Sequence, residues 1–118
     1  MSDQPNPPDA DIPEIAAADA EKHLETGAVL VDVREQNEYT EIRIPGSLLM
    51  PLSVFAERFG ELPKDKPLVM QCRSGARSAK AAEYLLANGY TDVTNLTGGI
   101  LAWNEAGLPV LRGDEQQK

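Results

Sequence analysis

Two runs of mostly apolar residues are the clearest features of the hydrophobic pattern: positions 28–33, and positions 68–70 with Gln71 at the end of the same predicted strand. Both are short, and both lack the polar–apolar alternation of a strand with one face in solvent. They are therefore typical of strands buried on both faces of a parallel sheet. Residues 93–96 predict a third strand, and residues 48–50 a short fourth. Residues 12–15 predict an edge strand, the position in a sheet that tolerates Pro13.

Helical patterns fill the segments between these strands. Residues 16–26 predict a helix that Gly27 ends, and residues 78–87 predict one that Asn88-Gly89 closes. Phe55 and Phe59 lie four residues apart and mark a small helix at 53–59. Shorter helices are predicted at 35–39 and 100–105. Because strands alternate with helices, we expect an α/β fold with a parallel sheet.

A chain of 118 residues, 42% apolar and 25% charged, is typical of a single globular domain. We expect a disordered acidic and proline-rich segment at 1–11, a folded domain at 12–112 and a polar tail at 113–118. No apolar run is long enough for a bilayer, and residues 1–11 lack the features of a secretory signal. We therefore expect a cytoplasmic protein that acts without a membrane, in a compartment that keeps its one cysteine reduced.

The formal net charge of −8 argues against nucleic acid as a partner. The charge is unevenly distributed, however. Arg73, Arg77 and Lys80 surround the cysteine, and no acidic residue occurs between Lys66 and Glu83. A locally basic site on an acidic protein suggests a small anionic substrate.

The single cysteine, Cys72, lies between a predicted strand and a predicted helix. A lone cysteine is usually a small buried apolar residue, but this one stands at a helix N-terminus, where free amides favour an anion and lower a thiol pKa. The spacing to Arg77 is C-x4-R, and a loop of that size can wrap its amides round one anion. Gly75 permits a tight turn, and Ser78 is a candidate N-cap. The segment thus predicts a nucleophilic thiol in an anion site.

Several segments, in order and spacing, make the chain similar to the single-domain rhodaneses, a sulfurtransferase family, over about residues 12–112. They are Val31-Asp32-Val33-Arg34 with Glu38-Tyr39, Ile44-Pro45-Gly46-Ser47, Cys72-Arg73-Ser74-Gly75-Ala76-Arg77-Ser78, and Leu96-Thr97-Gly98-Gly99 with Trp103, Gly107, Leu108 and Pro109. The resemblance implies a compact α/β domain around a parallel sheet of about five strands, with helices on both faces.

The resemblance also implies a reaction and its residues. The loop cysteine of the family takes the outer sulfur of a donor such as thiosulfate, and the persulfide passes that sulfur to cyanide or a thiol, including that of a sulfur-acceptor protein. No metal or organic cofactor takes part. Carried over, the nucleophile is Cys72. The substrate-binding residues are Arg73, Ser74, Gly75, Ala76 and Arg77, whose amides bind the anion while Arg77 orients it. Structural support comes from Asp32, Arg34 and Ser78.

Two alternatives remain open. One is a non-catalytic rhodanese-like binding or regulatory module, although such modules often lack the cysteine that this chain has. The other is an arsenate reductase or phosphatase relative, whose loop is C-x5-R; here only four residues separate Cys72 from Arg77, and there is no second cysteine. The chain departs from many relatives at Arg43, where they have a histidine before the Ile-Pro-Gly turn.

Overall fold

A computed structural model describes residues 12–114. Residues 1–11, predicted to be disordered, and residues 115–118 of the predicted tail lie outside the described part of the chain. The strands are β1 (Glu14–Ile15), β2 (Val29–Asp32), β3 (Ile42–Arg43), β4 (Leu48–Leu49), β5 (Leu68–Gln71), β6 (Val93–Leu96) and β7 (Leu111–Arg112). The helices are α1 (Ala17–Glu25), α2 (Gln36–Glu41), α3 (Leu52–Arg58), α4 (Ala76–Ala87) and α5 (Gly99–Glu105).

Five of the strands form one sheet in the order β1-β6-β5-β2-β4, and every neighbouring pair is parallel. Strand β5 is central and all four of its residues are buried. This arrangement follows from the apolar runs of β2 and β5, since only a strand covered on both faces can be apolar throughout. The predicted α/β fold with a five-stranded parallel sheet is confirmed.

Helices cover both faces of the sheet and produce two separate cores. Leu68 and Met70 of β5 point into the core beneath α3 and α4, together with Phe55 and Leu85. Val69 points into the other core, beneath α1 and α5, together with Trp103. The predicted placement of helices on both faces is therefore also confirmed.

Two local features differ from the sequence predictions. Helix α4 begins at Ala76, two residues before the predicted start, and Gly75 is its N-cap residue; the N-cap prediction for Ser78 is wrong. A second sheet pairs β3 with β7 in antiparallel fashion and had no counterpart in the predicted elements. Beyond β7, the amide of Gly113 donates to the carbonyl of Thr40 at 2.9 Å. Across residues 12–114, none of the helices has the length and apolar character needed to cross a bilayer.

The carboxyl ends of the parallel strands meet at one edge of the sheet. Arg34 follows β2, Cys72 follows β5 and Thr97 follows β6. Because β2, β5 and β6 are adjacent, the polar side chains after them are brought together there, as in other open α/β sheets.

Candidate active site

The Cys72 sulfur is enclosed by hydrogen-bond donors from the loop that follows β5. The amide of Gly75 is 3.1 Å from Sγ, the amide of Ser78 is 3.4 Å away, and the Ser78 hydroxyl oxygen is also at 3.4 Å. The residue is only 1% exposed, so these groups replace water around the sulfur. Three donors aimed at one atom form a site for negative charge.

These donors balance two opposing effects on the thiol. Burial raises the pKa of Cys72. Hydrogen bonds from the Ser78 hydroxyl and from the amides of Ser78, Gly75 and Ser74 lower it by more than burial raises it, so the pKa lies below the ordinary value. Helix α4 starts at this loop, and its free N-terminal amides favour an anion there. The thiolate form is thus stabilised by hydrogen bonds within the loop.

Gly75 makes the loop geometry accessible. Its φ of 108° lies in the left-handed region, which residues with a Cβ rarely adopt. A Cβ there would meet only ordinary contacts, the nearest being the amide nitrogen of Gly98 at 3.5 Å. The requirement for glycine is therefore conformational: the chain must turn sharply for its amide to face Sγ.

Helix α5 supports the loop from behind. The amides of Ile100 and Leu101 donate to the carbonyls of Cys72 and Arg73 at 2.9 and 3.2 Å. This contact depends on Gly99, where an added Cβ would clash with the Cys72 carbonyl oxygen. The Gly98-Gly99 turn thus allows α5 to approach closely enough to fix the backbone of Cys72.

Arg77 forms a bidentate ion pair with Glu38. Its two terminal nitrogens lie 2.8 Å from the two Glu38 oxygens. The hydrogen bond from Arg77 lowers the pKa of Glu38 to about 2, although burial opposes the change, and the Glu35 amide contributes to the lowering. The same bond raises the pKa of Arg77, and the Cys72 charge adds a smaller effect. Two of the five guanidinium N–H donors are engaged with Glu38, and three remain.

Asp32 and Arg34 form a buried pair beside this one. Arg34 is 2% exposed and Asp32 is fully buried, with a terminal nitrogen of Arg34 2.8 Å from Oδ2 of Asp32. The Arg34 guanidinium also donates to the carbonyls of Ile42 and Glu38 at 2.6 and 3.4 Å. The pair therefore ties the end of β2 to α2 and β3, and so helps to position Glu38.

The remaining predicted substrate-binding residues lie on the outer side of the loop. Arg73, Ser74 and Ala76 are exposed, and the Arg73 side chain makes no hydrogen bond or ion pair with the residues at 12–114. A cavity of about 660 Å³ opens beside the loop. It is lined by Ser74, Gly75, Ala76, Ala79, Lys80, Gly98, Thr97, Glu14 and Asn95.

The sequence interpretation missed three residues at this site: Glu38, which is the partner of Arg77, the buried Asn95 beyond Ser78, and the exposed Glu14 that contacts Asn95. Asn95 of β6 accepts a hydrogen bond from the Ser78 hydroxyl at 2.6 Å and donates to Glu14 at 3.1 Å. One signal was available for Asn95: it is a polar residue within a predicted strand of the parallel sheet. Glu14 carried no such signal.

Arg43, which stands where many relatives have a histidine, belongs to the small second sheet. Its guanidinium donates to the carbonyls of Gly113 and Thr40 at 3.1 and 3.3 Å and lies 5.7 Å from the centre of the Tyr39 ring. It thereby links β3 to the segment after β7. Within residues 12–114 there is no group of three or more histidine, cysteine or acidic side chains suited to hold a metal ion.

Comparison with known proteins identifies the family of the chain. The family model described as Rhodanese-like domain matches residues 16–106. A protein of Allochromatium vinosum named Sulfurtransferase is 46% identical over 83 residues, which are 70% of this chain and 78% of the relative. The thiosulfate sulfurtransferase GlpE of Pseudomonas syringae is 40% identical over 67% of this chain and 74% of its own. The crystal structure of a rhodanese-related protein from Thermoplasma volcanium superposes with a TM-score of 0.79 at 34% identity, over 84% of this chain and 97% of that one. On these matches, the chain belongs to the rhodanese-like domain family.

Proposed function

We propose that this protein is a sulfurtransferase that carries a sulfane sulfur on Cys72. The observation that carries the proposal is the convergence of the Gly75 amide, the Ser78 amide and the Ser78 hydroxyl on one sulfur. The thiolate that attacks the donor and the persulfide that results are both anionic, so the same donors serve both forms. Donors aimed at developing charge are each worth up to roughly 3 kcal/mol in an acyl-transfer site.

The proposed reaction has two transfers. The Cys72 thiolate attacks the outer sulfur of thiosulfate, the sulfur–sulfur bond of the donor breaks, and sulfite leaves with the bonding electrons. The acceptor, cyanide or a thiolate, then attacks the outer sulfur of the persulfide, and Cys72 leaves as the thiolate. No metal or organic cofactor takes part in either step. The exposed loop residues Arg73, Ser74 and Ala76, with the amides of Gly75 and Arg77, bind the anionic donor.

Three further points belong to the same proposal. The acceptor in the cell is a thiol, and a sulfur-acceptor protein is one source of it. Because Cys72 is the only cysteine, a persulfide has no internal thiol to resolve it and must react with an outside acceptor. A cytoplasmic location fits this chemistry, because a reducing compartment keeps Cys72 free.

Intact mass spectrometry tests the proposal directly. The protein incubated with thiosulfate should gain the mass of one sulfur atom, and cyanide should remove it with formation of thiocyanate. The Cys72→Ser protein, which replaces the thiol with a much poorer nucleophile, should fold normally and gain nothing. If no sulfane donor gives the adduct, the chain is a binding module of the family and not a sulfurtransferase.

A further inference from the structure

A hydrogen-bonded series of polar side chains, buried as far as Asn95, runs from the Cys72 sulfur to the exposed Glu14 of the first strand. Ser78 lies 3.4 Å from Sγ and 2.6 Å from Oδ1 of Asn95. Nδ2 of Asn95 then donates to the Gly75 carbonyl and to Oε2 of Glu14, both at 3.1 Å. Ser78 is fully buried and Asn95 is 2% exposed, so the loss of a hydrogen bond between these side chains would leave a buried polar group without a partner, at a cost in free energy.

The orientation of the Asn95 amide follows from its partners. The Gly75 carbonyl and the Glu14 carboxylate only accept hydrogen bonds, so the group facing them is the NH₂ and the group facing Ser78 is the oxygen. That oxygen cannot donate. The 2.6 Å contact therefore places the Ser78 hydroxyl proton between Ser78 and Asn95.

A hydroxyl has one proton, and three acceptors lie within its reach: Oδ1 of Asn95 at 2.6 Å, the Gly75 carbonyl at 3.3 Å and the Cys72 sulfur at 3.4 Å. The short distance to Asn95 favours that acceptor while Cys72 is neutral. When the proton points to Asn95, only oxygen lone pairs of Ser78 face the sulfur, and these can accept a hydrogen bond from a neutral thiol. When Cys72 is a thiolate, the hydroxyl must turn towards the sulfur to stabilise it, and the buried Asn95 oxygen loses its partner. The two protonation states of Cys72 thus require different orientations of Ser78.

We propose that Asn95 is a positioning residue for Cys72: its oxygen holds the Ser78 proton while Cys72 is a thiol and releases it to the sulfur when the sulfur is negative. The thiol proton itself leaves to solvent. By competing for the Ser78 proton, Asn95 restrains ionisation of the resting thiol. The inference rests on Cys72 being the reactive group of the proposed function, but its test does not require sulfur transfer.

The test is a double-mutant cycle on the ionisation of Cys72, followed by thiolate ultraviolet absorbance against pH with the Cys72→Ser protein as baseline. Since the chain has one cysteine, the signal reports Cys72 alone. Asn95→Leu removes the competing oxygen. The midpoint of the Cys72 titration should therefore fall by about 0.5–1 pH unit, the size expected for one redirected hydrogen bond. In the Ser78→Ala background that downward effect should disappear.

The cycle separates this role from a general structural one. Asn95→Leu also removes a donor to the Gly75 carbonyl, and the part of that loss that does not involve Ser78 cancels in the comparison. The Ser78 hydroxyl lies 3.3 Å from the same carbonyl; if it turned there and not to the sulfur, the midpoint would not fall. The charged groups around the site are unchanged in all members of the cycle; they are Arg73, Arg77, Lys80, Glu38, Asp32, Arg34 and Glu14. The matched control is Thr94→Val. It removes a hydroxyl from the same strand that is not hydrogen-bonded to Ser78, Asn95 or Glu14, and it should leave the midpoint of the Cys72 titration unchanged. A coupling of zero, or one of opposite sign, would overturn the proposal.

A second measurement needs only the parent protein and Ser78→Ala, and it decides the matter if Asn95→Leu does not fold. The single S–H stretching band in the infrared spectrum should be that of a hydrogen-bonded thiol in the parent, because the thiol donates to Ser78. It should move to higher frequency in Ser78→Ala. An unchanged band would show that Ser78 does not accept from the thiol, and the proposal would be wrong even if sulfur transfer itself is found.

Discussion

Among single residues at the carboxyl edge of the sheet, some contact the Cys72 sulfur and others only hold those that do. Ser78 is of the first kind, with both its amide and its hydroxyl at 3.4 Å from Sγ. Glu38 and Asn95 are of the second kind, because each contacts a residue of the loop or of the start of α4 and not the sulfur. The division matters for mutagenesis, since loss of either kind can slow the same reaction for different reasons.

Substitutions in the Arg77–Glu38 pair can distinguish a residue that binds the donor from a residue that only positions its partner. If Arg77 uses its remaining N–H donors to bind thiosulfate, Arg77→Ala should lower the second-order rate constant with thiosulfate about tenfold or more, the equivalent of one charged hydrogen bond. Glu38→Gln leaves the guanidinium in place and frees it for the anion, so it should keep most of the parent rate. The measurement is the initial rate of thiocyanate formation at low thiosulfate. Equal losses in both variants would mean that Arg77 acts only through its pair with Glu38.

Gln71 allows a prediction about stability at the residue scale. It is fully buried at the end of β5, and neither its amide nitrogen nor its amide oxygen has a hydrogen-bond partner among the residues at 12–114. A buried polar group without a partner costs roughly 1–3 kcal/mol. Gln71→Met keeps the shape and removes both groups, so urea denaturation should show a free energy of unfolding higher by about 1 kcal/mol or more. A loss of stability would show that the amide has partners that the fold itself does not supply.

The sequence predicted the residues of the loop better than their partners. Cys72, Gly75 and Arg77 lie close together along the chain, so local spacing was enough to place them in one loop. Asn95 lies on β6 and meets Ser78 of α4 because β6 pairs with β5, the strand that leads into α4. Glu14 lies on β1 and meets Asn95 because β1 pairs with β6. Glu38 was part of a recognised segment, but no local pattern predicts a contact with a residue 39 positions away.

At the scale of elements, the active loop depends on α4 in front and α5 behind. Helix α4 supplies the amide of Ser78, and α5 fixes the carbonyls of Cys72 and Arg73 through the amides of Ile100 and Leu101. The approach of α5 is close enough that Gly99 leaves no room for a side chain. The Gly98-Gly99 turn is therefore part of the site, because it allows α5 to hold the backbone of the loop.

Gly99→Ala tests this dependence. The Cβ would clash with the Cys72 carbonyl, and φ at this position is 57°. The matched control is Gly107→Ala, where φ is 78° but an added Cβ meets nothing within 4 Å. We expect Gly99→Ala to lower the free energy of unfolding by about 1–3 kcal/mol more than the control, the usual cost of overpacking, and to slow sulfur loading of Cys72. Equal effects of the two substitutions on both measurements would show that α5 does not press on the loop.

The sequence predicted strands correctly where an apolar run was several residues long. It did not predict strands that form only through contacts between residues far apart in the sequence. The bounds of β5 and β6 were predicted as observed, and those of β2 nearly so. The β3–β7 pair was not predicted, because each strand has only two residues and the partners are about 70 positions apart. The start of α4 was placed two residues late, since the serine at position 78 is a common N-cap type and the left-handed conformation of Gly75 is not visible in the sequence.

For the molecule as a whole, the Arg77–Glu38 pair joins the two halves of the site across the sheet edge. Glu38 belongs to α2, which follows β2, and Arg77 belongs to α4, which follows β5. The buried Asp32–Arg34 pair lies next to it and holds the end of α2 through the Ile42 carbonyl. The Arg77–Glu38 pair connects segments that the parallel topology separates by a full crossover, and the Asp32–Arg34 pair anchors one of these segments locally. We therefore expect both pairs to contribute to the stability of the whole domain.

The contribution of the Arg77–Glu38 pair should depend on pH in a defined direction. The pKa of Glu38 is lowered from 4.5 to about 2 by Arg77. As the pH falls, this carboxyl is therefore protonated at a higher pH in the unfolded chain than in the folded protein. The stabilisation is therefore complete above the unfolded pKa and is lost as the pH falls towards about 2. Because the Arg77 side chain is 36% exposed, solvent screening reduces the value at neutral pH to about 1 kcal/mol.

Urea denaturation of the parent protein and of Glu38→Gln over this acid range measures the effect. The variant should be less stable at neutral pH by about 1 kcal/mol, and the difference should shrink as the pH falls through about 2, where the parent carboxyl becomes protonated as well. Glu57→Gln, which removes one charge from the exposed face of α3, serves as the control and should differ from the parent by a small amount that does not follow this curve. If the difference in free energy of unfolding between the parent and Glu38→Gln stays constant down to the lowest pH, protonation of Glu38 does not cause a loss of stability in acid.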